Sequence, residues 1–185
     1  RAAARPATRP AAPPSTPGSS GASGASGTGS QWFYQNSPGW PGRSETNDRF
    51  GSSIAVSDID GDGIGDLVVG VPGEKLGSHT EAGQVQIRYN PGDWSQTPAS
   101  VQTLYQNLAG VQNKVETGDR FGAHLEIADV TGDSNVDLIV GVPGESIATR
   151  PDAGAVAIFK SVGGPITTAE DQLFYANQSI FTGDS

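Results

Sequence analysis

Short runs of alternating or continuous apolar residues recur along the chain, separated by clusters of glycine, proline, asparagine and aspartate. Apolar and polar residues alternate over 53–57 (SIAVS), 85–89 (VQIRY) and 101–105 (VQTLY), whereas 67–69 (LVV) is apolar throughout. A period of two is typical of a strand with one buried face, and a short continuous run suits a strand covered on both faces. The pattern therefore predicts four short strands in this stretch.

The same pattern occurs twice. Residues 48–73 (DRFGSSIAVSDIDGDGIGDLVVGVPG) match residues 119–144 (DRFGAHLEIADVTGDSNVDLIVGVPG) with a constant offset of 71 positions. Residues 106–115 are the one stretch that could be forced into a helix, but Gly110 and weak periodicity favour a loop. Repeated four-stranded units that cannot bury both faces alone predict blades of a β-propeller, part of a larger ring. An eight-stranded sandwich is the alternative, but it does not explain the identical spacing of the two halves.

The composition divides the chain into a tether and a folded part. Residues 1–30 contain only Ala, Pro, Ser, Gly, Thr and Arg, which cannot bury enough apolar surface to offset the entropy of ordering, so we expect a disordered tether there. The propeller segment is predicted over 31–185, with repeat units at about 48–110 and 119–180. The run WFYQN at 32–36 predicts an extra leading outer strand.

Carboxylates cluster in the turn between the first two predicted strands. In DIDGDGIGD, aspartates occupy positions 1, 3, 5 and 9, and glycines let the chain curl closely around an ion. Calcium takes six to eight oxygen ligands, and carboxylates at alternate residues of a tight loop suit it. Val69 stands where an EF-hand has its bidentate Glu, so the loop is not an EF-hand. The predicted ligands are Asp58, Asp60, Asp62, Asp66 and the backbone carbonyl of Ile64.

The second copy of this loop, DVTGDSNVD, has one carboxylate fewer. Its predicted ligands are Asp129, Thr131, Asp133, Asn135 and Asp137. Because Thr131 offers a hydroxyl in place of a carboxylate, we expect this calcium site to be weaker than the first. Ordinary Asp-Gly turns are the alternative for either loop, and magnesium is disfavoured because it seldom uses an all-protein cage.

The charge of the chain excludes some classes of function. A formal net charge of −9, with few and scattered basic residues, argues against nucleic acid as a partner. No apolar run is long enough to cross a membrane. Cysteine is absent, and so are the G-x-S-x-G and H-E-x-x-H motifs, so we predict that the chain is not an enzyme.

These residues resemble the FG-GAP repeat, the unit of integrin alpha-chain propellers and of many secreted bacterial proteins. Phe50-Gly51 and Phe121-Gly122 match "FG", and residues 70–72 and 141–143 (both GVP) match "GAP" with Val for Ala. The resemblance implies an innermost strand after each FG, a calcium turn on the lower rim, and ligand binding by the opposite rim.

The resemblance implies a secreted or cell-surface module for binding or adhesion, stiffened by calcium. Its partners would be the remaining blades, from the same precursor or another subunit, and a protein or carbohydrate ligand bound at upper-rim loops 73–83 and 144–154. A portion of a secreted hydrolase and a lectin-type propeller are the alternatives. For a lectin, Trp40 and Trp94 are the candidates to stack on a sugar, because neither has a counterpart in the repeat.

Overall fold

The structure, a computed structural model, describes residues 31–90, 92–98, 101–169 and 171–175. The predicted tether at 1–30 lies outside these residues. The described chain is all β-strand, turn and loop, without a helix. Two four-stranded antiparallel sheets follow one another along the chain, which confirms the predicted fold class.

Each sheet is a simple meander in which sequence neighbours pair. The first sheet has the order β1-β2-β3-β4 and the second β5-β6-β7-β8. Strands of the first sheet are β1 (Ser53–Ser57), β2 (Asp66–Val71), β3 (Gln84–Arg88) and β4 (Val101–Leu104). Those of the second are β5 (His124–Ala128), β6 (Asp137–Val142), β7 (Ala155–Phe159) and β8 (Gln172–Tyr175).

The two sheets pack face to face through one apolar core. Val68 of β2 pairs with Ile87 of β3, so both side chains lie on one face of the first sheet. The second sheet contributes Val140 and Phe159, and all four of these side chains are fully buried. β5 lies against β1 and β2, so the inner strand of the second sheet covers the first. This arrangement of adjacent sheets is consistent with neighbouring FG-GAP propeller blades.

The Phe-Gly pair that opens the second unit locks the two sheets together. Phe121 is fully buried, and its backbone N–H donates to the Ala82 carbonyl across 2.9 Å. Gly83 forms a parallel bridge with Phe121, and a Cβ at Gly83 would lie 2.3 Å from the Phe121 carbonyl oxygen. The hydroxyl of Ser53 donates to the Gly122 carbonyl at 2.6 Å. The FG motif of the second unit therefore lies at the contact between the two sheets.

Residues 31–42 form turns, not the predicted leading strand. A strand needs a neighbour with which to exchange backbone hydrogen bonds, and no described strand pairs with this segment. Phe33 of this segment instead packs on the buried guanidinium of Arg88, 4.8 Å from its ring centre. Trp94, which follows β3, packs on the same guanidinium at 4.9 Å. The loop predicted over 106–115 is confirmed.

Candidate functional site

The two aspartate-rich loops occupy the same place in their sheets. Residues 58–65 join β1 to β2, and residues 129–136 join β5 to β6. Both therefore connect the innermost strand of a sheet to its neighbour, at the same edge. The position predicted for the calcium turns agrees with this placement.

Backbone hydrogen bonds shape the first loop around its carboxylates. Asp58 accepts from the N–H groups of Gly61 and Gly63, each at 2.9 Å, and Asp62 accepts from Ile64 at 2.8 Å. Gly61 and Gly63 have φ of 81° and 87°, a conformation that glycine adopts without steric cost. The loop thus turns its side-chain oxygens inward before any cation is considered.

Three aspartates of this loop converge. Asp58, Asp60 and Asp62 each place a carboxylate oxygen within 4.8 Å of the others. Their mutual repulsion favours a cation among them, and an all-oxygen donor set suits a hard divalent ion such as calcium. The residues present therefore fit the ion that the resemblance implies.

Asp66 has a different role from the three converging aspartates. It is fully buried, and its two oxygens accept from the N–H groups of Ile59 and Asn90, each at 2.9 Å. Burial raises the pKa of Asp66, while these two hydrogen bonds act in the opposite direction. Asp66 ties the base of the loop to the end of β3. Its role as a ligand, like that of the Ile64 carbonyl, stays a prediction.

The second loop has the same frame with fewer acids. Asp129 accepts from Gly132 at 2.6 Å and from Ser134 at 2.9 Å, and Asp133 accepts from Asn135 at 2.8 Å. Ser134 has φ of 73°, so it adopts the left-handed conformation that Gly63 has in the first loop.

At the base of the second loop, Asp137 accepts from Val130 and Thr131 through Oδ2. Its Oδ1 is buried without a hydrogen-bond partner. Thr131 itself is exposed. Within the described chain, the acids of this loop do not form a three-carboxylate cluster like that of the first.

A second three-carboxylate cluster lies outside both loops, and the sequence analysis did not predict it. Glu116, Asp119 and Glu145 bring carboxylate oxygens within 4.8 Å of one another. The signal was present in the repeat, because Glu45, Asp48 and Glu74 precede these residues by the same 71 positions. Glu145 is distant in the sequence from Glu116 and Asp119, so their spacing alone did not suggest a site.

The aromatic residues proposed for sugar stacking are packed into the protein. Trp40 is buried, with its ring centre 5.8 Å from that of Phe33 and 5.3 Å from that of Phe50. Trp94 is half-buried against Arg88. Trp40 is therefore removed as a sugar-stacking candidate, whereas Trp32 and Tyr34 are exposed.

Comparison with known proteins supports the repeat. The family model described as "FG-GAP repeat" matches residues 50–87 and 121–159. A phosphatidylinositol-glycan-specific phospholipase D of Dictyostelium discoideum is 31% identical over 74% of this chain, and that of Homo sapiens is 35% identical over 68%. Integrin alpha-X of Mus musculus is 37% identical over 69% of this chain. The matches cover 15%, 14% and 10% of these relatives, respectively, so the chain corresponds to a small part of each.

None of the described residues forms a helix long and apolar enough to span a membrane.

The two matched segments begin at Phe50 and Phe121 and contain the aspartate loops, so they coincide with the first three strands of each sheet. Two segments of the chain therefore match the FG-GAP repeat, and each lies within one four-stranded antiparallel sheet.

Proposed function

We propose that the two sheets are adjacent blades of a larger, calcium-stabilised propeller that serves outside the cell as a binding or adhesion module. The observation that supports a ring of more than two blades is a difference in solvent exposure between equivalent residues of the two units. Leu125 and Ile127 of β5 pack against the core between the sheets. Their counterparts in the first unit, Ile54 and Val56, are 65% and 64% exposed.

The exposed side of β1 has the chemistry of an interface between blades. Ile54 pairs with Val69, and Val56 pairs with Leu67, so these four apolar side chains lie on one face of the first sheet. In the second unit the same face is covered by the first sheet. Another blade of the same kind would pack on Ile54 and Val56 in the way that the first sheet packs on Leu125 and Ile127.

The far face of the second sheet shows the complementary pattern. Val85 and Ile87 are fully buried between the sheets, whereas their counterparts Val156 and Ile158 are exposed and half-buried, respectively. Val156 is 39% exposed. Apolar faces left open on both sides support further blades before and after this pair. These blades would come from the same precursor or from another subunit.

Calcium has a structural role in this proposal. An ion bound among Asp58, Asp60 and Asp62 would relieve their repulsion and fix the turn between β1 and β2. A ligand that binds only the folded state adds about 2.7 kcal/mol at a hundredfold excess over Kd. At the millimolar calcium concentration that extracellular modules use, even a weak site in the second loop would be filled.

Thermal unfolding in calcium and in EDTA tests the metal assignment. We expect the melting temperature to rise with calcium and to fall again in EDTA. A chain carrying Asp58→Asn and Asp129→Asn is the control, because calcium should raise its melting temperature less than that of the unsubstituted chain. An unchanged melting temperature of the unsubstituted chain would refute the calcium sites.

Binding is favoured over catalysis because repeated units build extended surfaces. Loops 73–83 and 144–154 follow β2 and β6, so they lie at the opposite edge from the aspartate loops. We therefore propose a protein or carbohydrate ligand at this opposite rim. The secreted bacterial type of the repeat stays a prediction.

The phospholipase D relatives support a second candidate, the propeller part of a secreted hydrolase. Within the described residues, His79 lies in the loop between β2 and β3 and His124 lies in β5, and neither joins a three-member acidic or histidine cluster. We propose that any hydrolytic site belongs to residues outside this blade pair.

Protein and glycan arrays separate these candidates. Binding by the chain in calcium that is lost with substitutions in loops 73–83 and 144–154, such as Lys75→Ala or Arg150→Ala at exposed positions, would support a binding module. Substitution of Val162, which is exposed away from loops 73–83 and 144–154, is the control. Lipid or ester hydrolysis by the purified chain would instead contradict the non-enzymatic proposal.

A further inference from the structure

The acidic cluster of Glu116, Asp119 and Glu145 joins two separate parts of the chain. Glu116 and Asp119 lie in the link that leads into the second sheet, and Glu145 follows the end of β6. Since β6 runs from the aspartate-loop edge to the opposite edge, this cluster lies at the rim away from the calcium turns. It is a site distinct from the two loops.

Two of the three carboxylates of this cluster are deeply buried. Asp119 and Glu145 are 0% and 1% exposed, whereas Glu116 is at the surface. No described Lys, Arg or His pairs with either buried acid, and the charges acting on each belong to other carboxylates. Buried acids are normally paired or bound to a metal, because ionising them alone is costly.

Polar atoms around the cluster lack partners of their own. Asp119 Oδ2 accepts from the Glu116 N–H at 2.6 Å, but Asp119 Oδ1 is buried with no hydrogen-bond donor. Gln106 is also buried, and its Nε2 donates to Glu145 Oε2, which places its amide group at the cluster. The Oε1 atom of the same amide has no partner. Two buried acceptor oxygens, one of them on an uncharged side chain, thus point to a missing positive ligand.

We propose that Glu116, Asp119, Glu145 and the Gln106 side-chain carbonyl bind a hard divalent cation, with calcium as the ion tested first. The donors are all oxygens, and hard cations prefer carboxylate and amide oxygens. The two buried carboxylates, Asp119 and Glu145, have no described basic side chain as a counterion. A bound cation supplies that counterion.

The cation would connect neighbouring blades at the rim. Gln106 follows β4 of the first sheet, Asp119 precedes the buried Phe121, and Glu145 belongs to the second sheet. A backbone hydrogen bond joins the two segments that carry the carboxylates, because the Gly144 N–H donates to the Asp119 carbonyl at 3.0 Å. The proposal therefore assigns an ion to the junction between blades, in addition to those within the turns.

The first unit provides a natural comparison. Gln35 donates to Glu74 at 2.5 Å, and Gln35 Oε1 is buried without a partner. However, Glu74 is only half-buried, and within the described chain Glu45, Asp48 and Glu74 do not converge as closely as the cluster of the second unit. We expect the tighter cation site in the second unit.

Manganese as a paramagnetic probe tests the site in the unsubstituted full chain. We expect substoichiometric Mn²⁺ to broaden the side-chain amide resonances of Gln106, and excess Ca²⁺ to restore them. Broadening confined to residues 58–65 and 129–136 would overturn the proposal while leaving the loop sites intact. The experiment can therefore refute this site without refuting the two loop sites.

A count of bound ions provides the second measurement. By native mass spectrometry in calcium, Glu145→Gln should bind one ion fewer than the unsubstituted chain. Glu126→Gln is the matched control, because Glu126 is an exposed residue of β5 and its variant should keep the full count. If Glu145→Gln does not fold, Asp119→Asn and the amide broadening provide the same test. An equal ion count in all folded variants would overturn the proposal.

Discussion

At the scale of single residues, several identities are fixed by close backbone approach. A Cβ at Gly144 would lie 1.8 Å from the Gly118 carbonyl oxygen, and a Cβ at Gly73 would lie 1.7 Å from that of Asn47. These glycines follow the GVP sequence in each unit, so the motif continues as GVPG for a steric reason. The repeat preserves the place where the end of β2 or β6 meets the link that enters its sheet.

Gly144→Ala should therefore destabilise the fold. We expect a loss of roughly 3 kcal/mol in the free energy of unfolding, because the backbone has to shift to admit the methyl group. Gly164→Ala is the control, since a Cβ there meets nothing within 4 Å, and its change should stay within about 0.5 kcal/mol. Urea unfolding of both variants measures the difference. Equal stabilities would show that the close approach at Gly144 is relieved without cost.

The two aspartate loops should differ in calcium affinity. The first gathers three carboxylates, while the second has the exposed Thr131 in place of Asp60. In chains that also carry Glu145→Gln, calorimetric titration of Asp133→Asn reports the first loop, and titration of Asp62→Asn reports the second. We expect about tenfold tighter binding in the first loop, equivalent to ~1.4 kcal/mol. Equal dissociation constants would mean that the position-3 carboxylate does not set the affinity.

At the scale of elements, the sequence was sufficient to predict the strands but not which residues pack against them. Alternation predicted β1 at its observed bounds, and the repeat placed both aspartate-rich turns between the first two strands of each sheet. Alternation could not reveal that Ile54 and Val56 face outward, because that depends on which blade covers them. The role of Arg88 was also missed, since a period of two does not show that aromatic side chains from distant segments enclose a charge.

Tyr89 shows how a side chain links the two sheets. Its hydroxyl accepts from the Ile166 N–H at 2.9 Å and donates to Gln102 Oε1 at 2.5 Å. Burial raises the pKa of Tyr89 to about 12. Because the folded pKa exceeds the unfolded value, this stabilisation is present below pH of about 10 and is lost as pH rises through about 12.

Spectrophotometric titration of the phenolates tests this link. We expect one tyrosine to ionise late, together with a loss of stability, and Tyr89→Phe to remove that late step. The variant should also lower stability at neutral pH by about 1–3 kcal/mol, because the Ile166 N–H loses its acceptor. Tyr34→Phe, at an exposed position, is the control. A late ionisation that persists in Tyr89→Phe would contradict the assignment.

At the scale of the whole molecule, the blade pair has one well-packed interface and two open apolar faces. The interface between the sheets contains buried Val, Ile, Leu and Phe side chains and the locked Phe121. The open faces present equivalent residues of the same chemistry to solvent, with Ile54 and Val56 on one side and Val156 on the other. The repeat thus specifies how one blade meets the next, and both outer faces are suited to the same contact.

The mass of the native particle that contains this chain tests the larger ring most directly. Native mass spectrometry in calcium should give a mass well above the 18.9 kDa of the chain, because further blades cover both open faces. In that particle, Ile54→Asp should lower the assembled fraction, whereas Val162→Asp should not. A stable, monodisperse monomer near 18.9 kDa that unfolds cooperatively, with Ile54→Asp as stable as the unsubstituted chain, would contradict the account.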